Sequence, residues 1–127
     1  GLTRKEVLDR VGWFDEKYFI YWEEVDLCYR ARKAGYKVVA TPRATVYHAG
    51  SQTMKKFSYL KTLHYNKNKI RFILKNLGFT RKAVNLPLIL VQYLIKSLFY
   101  LVKGNLPNSL AMLQAIFWNI RNFKDYL

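Results

Sequence analysis

Phe19-Ile20-Tyr21-Trp22 runs without interruption into Glu23-Glu24. Four bulky side chains that favour burial meet two carboxylates that need water or a cation, so this junction has to stand at the rim of a packed core. Acid is scarce elsewhere. Asp15, Glu16, Glu23, Glu24 and Asp26 are five of the eight carboxylates, Asp9 stands just upstream, and the whole chain carries a formal net charge of +14. From Glu24 the spacing predicts a helix. Val25, Leu27 and Cys28 are apolar, Ala31 follows one turn on, Asp26 and Arg30 form an i,i+4 pair, and Arg32 and Lys33 fill the last turn before Gly35. Acids in the first turn and bases in the last complement the helix dipole. Two readings of Glu23 and Glu24 stay open: a favourable helix start, or a general base held at a helix N-terminus beside an aromatic wall and facing a cleft.

Around this helix the first 53 residues read as short elements. Thr3 and Glu6 stand in capping-box spacing before Val7, Leu8 and Val11, and Gly12 ends that first amphipathic helix. Trp13 to Lys17 makes a loop, in which Asp15 reads as a turn residue and Trp13 as a core aromatic. After Gly35, Tyr36 to Thr41 has strand composition, Pro42 interrupts it, and Ala44 to His48 reads as a second short strand. Taken alone, His48 is a hydrogen-bonded structural histidine. The single cysteine, Cys28, reads as a small buried hydrophobe and excludes an intrachain disulfide, which suits a reducing, cytosolic side. The fold class expected is α/β over residues 1–53, as an incomplete mixed sheet, followed by an all-α tail over residues 54–127, mostly helical overall.

The run FDEKYFIYWEEVDLCYRARKAGYKVVATPRATVYHAGSQT resembles the acceptor-side half of a family 2 glycosyltransferase catalytic domain of the GT-A fold. It is most similar to the rhamnosyltransferase-like enzymes of bacterial and archaeal surface polysaccharide synthesis, over about Thr3 to Thr53. The resemblance implies inverting transfer from a nucleotide-sugar donor to a hydroxyl acceptor, with a lipid-linked glycan as the expected acceptor. It assigns the catalytic base to Glu24, where Glu replaces the usual Asp, with Glu23 as the fallback. Asp15, Trp13, Trp22 and Asp26 are the substrate-binding candidates it implies. It also makes His48 a ligand of a divalent metal, Mn²⁺ or Mg²⁺, shared with an Asp-x-Asp motif. No Asp-x-Asp occurs in these residues, and no series of alternating strands and helices precedes the match. The expectation is a fragment that lacks its donor-binding half and is inactive alone; the absence of a starting Met and of a signal peptide fits the tail of something longer.

From Met54 the character changes. Thirteen Lys or Arg stand against the single acid Asp125, whereas nine stand against seven acids in residues 1–53. Lys55 to Leu77 reads as a long helix with Leu60, Leu63, Ile70, Leu74 and Leu77 at three- and four-residue intervals. Leu86 to Lys103 is the most apolar segment, yet its longest uncharged run is Leu86 to Ile95, short of the roughly 20 residues of a bilayer span. The pattern predicts an interfacial or re-entrant helix ahead of a true span. A break at Gly104 to Asn108 leads to a last helix capped by Ser109 and running to about Lys124. An antiparallel hairpin on an anionic membrane surface is the favoured reading, peripheral or monotopic on the cytoplasmic face; ordinary burial of these helices against one another is the alternative. The basic, aromatic composition also raises nucleic-acid binding or a non-catalytic membrane-surface module. Zinc-finger spacing, a ribonucleoprotein sheet motif and a helix-turn-helix with a polar recognition face are all absent, so no specific nucleic acid is expected.

Overall fold

The computed structural model describes residues 2–43, 45, 47 and 58–126. Five α-helices occur among them: α1 (Lys5–Val11), α2 (Glu23–Lys33), α3 (Ser58–Asn76), α4 (Phe79–Val102) and α5 (Leu106–Arg121). Short 3₁₀ turns at Glu16–Tyr18 and Phe123–Tyr126 complete the regular structure.

No strand or sheet is present among the described residues, which overturns the α/β, mixed-sheet expectation. The stretch from Tyr36 to Thr41 is extended but unpaired, with Val38 and Val39 both exposed. Strand composition marks a segment that fits a pleated surface; it supplies no partner, and a strand without a partner has no ladder to form. Most of the second expected strand, including His48, lies outside the described residues.

Helix ends also differ from expectation in instructive ways. Arg4, not Thr3, stands at the start of α1, and no side chain caps it. Gly35 does terminate α2. Its φ of 91° is open to glycine at little cost, and it lets the Tyr36 amide turn back to the Ala31 carbonyl at 3.0 Å. Helix α5 begins at Leu106 with Asn105 as its cap, whose side chain accepts from the Asn108 amide, while Pro107 occupies the first turn. Ser109 is buried instead, and its hydroxyl meets that of Ser97 at 2.8 Å. Cys28 is exposed, not inward-facing.

The three long helices pack together. Ile70, Ile73 and Leu74 of α3 meet Ile89 and Tyr93 of α4 and Met112 and Ala115 of α5 in one apolar cluster. Contacts between residues 58 and 108 and between 67 and 119 make α3 and α5 parallel, and the link from Tyr93 to Asn66 makes α4 antiparallel to α3. The Tyr93 hydroxyl donates to the Asn66 carbonyl at 3.1 Å, and Asn119 Nδ2 donates to the Lys67 carbonyl at 3.0 Å. Ala111 and Ala115, both fully buried, let the backbones approach closely enough for these side-chain to main-chain bonds. Tyr93→Phe leaves the ring in place and removes one buried bond, so it should lower stability by about 0.5–1.5 kcal/mol in urea unfolding. A larger loss would mean that the ring itself had moved.

Candidate functional site

The aromatic run is folded into a left-handed clamp. Phe19, Tyr21 and Trp22 have φ of 60°, 66° and 75°, a region that non-glycine residues seldom occupy. Three such residues in four positions cost of order 1–3 kcal/mol each unless their surroundings over-determine them. The over-determining group is Asn68 on α3. Its buried side-chain amide donates to the carbonyls of Tyr18 at 2.7 Å, Ile20 at 2.8 Å and Tyr21 at 2.9 Å. Aromatic packing adds to this: Trp22 lies 5.8 Å from the Tyr65 ring and 5.4 Å from Phe72, and Phe19 lies 5.4 Å from His64. The clamp ends at Trp22, and Glu23 and Glu24 open α2 directly after it.

One turn into α2, Asp26 is fully buried and is the hub of an ion network. It accepts from Arg30 Nε at 2.7 Å, Asn76 Nδ2 at 2.7 Å, Lys75 Nζ at 3.1 Å and the Tyr18 hydroxyl at 3.3 Å. Lys75 is shared with Asp15 at 2.9 Å, and Asp15 also accepts from Arg71 at 3.1 Å and from the Lys17 amide at 3.0 Å. Arg30 reaches on to the carbonyls of Val11, Gly12 and Trp13, tying the end of α1 to α2. Tyr29 donates to the Asn76 carbonyl at 3.0 Å. Residues on both sides of position 54 therefore belong to one polar interface.

Titration follows from these contacts. Burial pushes the Asp15 carboxyl up, but the bonds from Lys75, Arg71 and the Lys17 amide outweigh it and hold Asp15 at about 2, below its ordinary 3.8. Asp26 is likewise held low, burial being outweighed by Asn76, Arg30 and Lys75. Burial and the neighbouring Asp26 charge push the Tyr18 phenol well up, so it remains a donor. Both carboxylates have depressed folded values, so both lose stabilisation on acidification; for Asp15 the stabilisation is present above its ordinary 3.8 and drains away as pH falls towards 2. The near-ultraviolet dichroism of the clamp aromatics should fade across that interval. A signal unchanged at pH 2 would contradict the network.

Of the residues singled out in the sequence, the structure brings Asp15 and Asp26 together through Lys75. Both are occupied by protein partners, and Asp26 has no surface. Trp22 packs half-buried in the clamp, whereas Trp13 is 66% exposed. Glu24 is exposed and Glu23 half-buried. Three polar atoms at this rim, Trp22 Nε1, Glu23 Oε2 and His64 Nδ1, are buried without a hydrogen-bond partner among the described residues. An ordered water is the ordinary partner of a buried polar atom of this kind. A cleft of about 390 Å³ opens at the opposite end of α2, between Tyr29, Lys33, Asn76 and Arg81, away from Glu23 and Glu24. His48 lies outside the described residues. Among those described, no group of three or more His, Cys, Asp or Glu could hold a metal, and Asp15 and Asp26 already serve cations of the chain. The described residues do not themselves fit a divalent ion.

Sequence reasoning missed the residues of α3 that build this site: Asn68, Arg71, Lys75 and Asn76. One signal was present. Asparagine is a poor helix former, and Asn66, Asn68 and Asn76 recur in one helix, which asks what each side chain binds.

Comparison with known proteins relates part of the chain to glycosyltransferases. Two curated proteins, from two strains of Mycobacterium tuberculosis, are each named N-acetylglucosaminyl-diphospho-decaprenol L-rhamnosyltransferase and are 49% identical to this chain over 47 residues. The match covers 37% of this chain, and the chain spans 15% of the length of these relatives. No family model matches, and no solved structure does.

Proposed function

We propose that the chain is the acceptor-side portion of an inverting glycosyltransferase of the family 2, rhamnosyltransferase-like kind. It would move a sugar from a nucleotide-sugar donor to a hydroxyl of a lipid-linked glycan at the cytoplasmic face of a membrane. The observation that carries the class is the 49% identity over 47 residues with rhamnosyltransferases. The clamp supports the choice of residues, since strain that Asn68 holds in place immediately before an acidic pair is the kind of cost that persists at working sites.

In this reading Glu24 takes the proton of the acceptor hydroxyl as that oxygen bonds to the anomeric carbon. The bond from that carbon to the diphosphate breaks on the opposite face, and the nucleoside diphosphate leaves with the electron pair. Glu23, with one oxygen buried and unpartnered, holds or orients the acceptor and is the fallback base. Trp13 and Trp22 offer ring faces to a sugar. The network at Asp15 and Asp26 positions these groups from behind. A divalent metal, Mn²⁺ or Mg²⁺, held by His48 and an Asp-x-Asp motif supplied from outside these residues, would neutralise charge on the diphosphate.

The test is made with the chain joined to a nucleotide-binding half that carries an Asp-x-Asp motif. Glu24→Gln should lower transfer of labelled sugar to a polyprenyl-diphosphate acceptor by about a hundredfold or more, with donor affinity unchanged. Near wild-type turnover would remove the assignment. A non-catalytic membrane-surface module is the second reading, favoured by the cleft lying at the other end of α2 from the acidic pair.

A further inference from the structure

The three long helices enclose an apolar cluster, yet they also bury polar side chains and leave long apolar stripes uncovered. Asn66, Asn68, Ser97, Asn108, Ser109 and Asn119 are buried, and most bond across helices. Helix α4 is the one described helix long and apolar enough to cross a membrane, with a mean hydropathy of 1.5 in its most apolar window, yet only 17% of that window is buried. A core helix of a water-soluble bundle would have that face covered. Val84, Leu88, Val91, Ile95, Leu98 and Val102 instead form an exposed stripe along its length, each at least half exposed. Helix α5 carries a second stripe, Leu106, Leu110, Leu113, Phe117 and Ile120, also uncovered. Small and amide side chains at helix contacts, with aliphatic chains outside, are the arrangement that hydrocarbon surroundings favour. Exposed apolar areas of this extent on a monomer mark a docking surface.

Charge identifies the partner. Arg81, Lys96, Lys103, Arg121 and Lys124 are exposed around these helices. The only acid of the tail, Asp125, is engaged by Lys17 at 3.1 Å. A surface ringed by cations and lacking free carboxylates complements anionic headgroups.

Geometry then selects the orientation. Lys96 falls in the C-terminal half of α4 and faces Lys69 of α3; burial and the Lys96 charge both hold Lys69 below its ordinary value. A spanning α4 would carry these two ammonium groups into the bilayer, at about 2.5–3.5 kcal/mol for each one near the centre. It would also draw in α3, bonded to α4 through Tyr93, and with α3 the Asp15, Asp26, Arg71 and Lys75 network. That network lies on the side of α3 turned to α2, whereas Ile70, Ile73 and Leu74 turn to α4 and α5. Helix α2 packs on α3, α3 packs chiefly on α5, and α5 packs on α4, so α4 is the helix farthest along this series from α2.

We infer that α4 and α5 lie in the plane of an anionic bilayer as a monotopic platform, apolar stripes down, with α3 and the acidic module stacked above. This rests on the membrane part of the reading above and is independent of the transfer chemistry.

The experiment measures depth. The chain of residues 1–127 with Cys28→Ser and a nitroxide at Val84→Cys, Val91→Cys or Leu98→Cys is added to vesicles of phosphatidylcholine containing about 30% phosphatidylglycerol. An in-plane helix gives the three positions equal depth, about 5–10 Å below the headgroup boundary. A spanning helix separates the first and last by about 20 Å along the normal. A label at Lys61→Cys, on an exposed position of α3, should remain accessible to aqueous quencher. Leu88→Glu combined with Ile95→Glu should reduce vesicle partition at least tenfold with helix content unchanged. A depth gradient from 84 to 98 overturns the orientation. Indifference to these vesicles, with the stripes protected instead in a self-associated chain or by added RNA, overturns the surface. No sugar donor or turnover is involved, so loss of transfer activity leaves these outcomes intact.

Discussion

Asp26→Ala should lower stability by about 3–5 kcal/mol, because it removes the carboxylate from a buried charge pair and leaves its partners in place. Arg30 would lose its anion while still held by the carbonyls of Val11, Gly12 and Trp13, Lys75 would keep only Asp15, and Asn76 would lose its acceptor. The loss should appear as a lower urea midpoint, with α1 and the 13–22 loop exchanging their amide hydrogens first. Asp26→Asn keeps the shape and one acceptor, so it should fall between wild type and Asp26→Ala. If Asp26→Ala unfolds at the wild-type midpoint, the hub described here does not bear on stability.

Asn68→Ala is expected to cost about 2–3 kcal/mol, at the upper end for losing one buried donor, because three main-chain carbonyls lose it together. The consequence is local before it is global. Without the amide, Phe19, Tyr21 and Trp22 are free to leave their left-handed conformations, and the dichroism of Trp22 should weaken while the α3, α4 and α5 bundle stays formed. Asn68→Asp should be worse than Asn68→Ala, since it sets a carboxylate against three carbonyls. Equal clamp signals in wild type and Asn68→Ala would show that the aromatic contacts alone hold the loop.

How much of this was legible depends on what each signal encodes. The i,i+4 relation of Asp26 and Arg30 is a property of helical spacing, and it appears as a 2.7 Å ion pair. Helices α2, α3 and α5 follow their apolar periodicity to within a few residues. For α4 the apolar segment reads from Leu86, but the helix begins at Phe79 and carries Pro87 in its interior, more than two turns in, where the proline removes one main-chain bond without ending the helix. The strands failed for a different reason: Tyr36 to Thr41 carries the composition of a strand but no knowledge of a neighbour. The clamp was invisible because its donor stands almost fifty residues away, on the face of α3 opposite Ile70 and Leu74, where periodicity expects only solvated residues. Asp15 and Asp26 were singled out, and their neighbours Lys75 and Arg71 were not, for the same reason.

Helix α3 carries α2 on one side and the apolar cluster with α4 and α5 on the other, and this sets a scale for the proposed arrangement. An α-helix with its side chains is about 10 Å across. If α4 and α5 rest on lipid and Glu24 is the base, as proposed, a helix width of this order would separate Glu24 from the headgroups, and an acceptor hydroxyl pressed against them would pass underneath unreached. A glycan raised on a diphosphate stem could meet it. On that proposal the width of one helix would become a gauge for which lipid-borne sugars the acidic pair could touch.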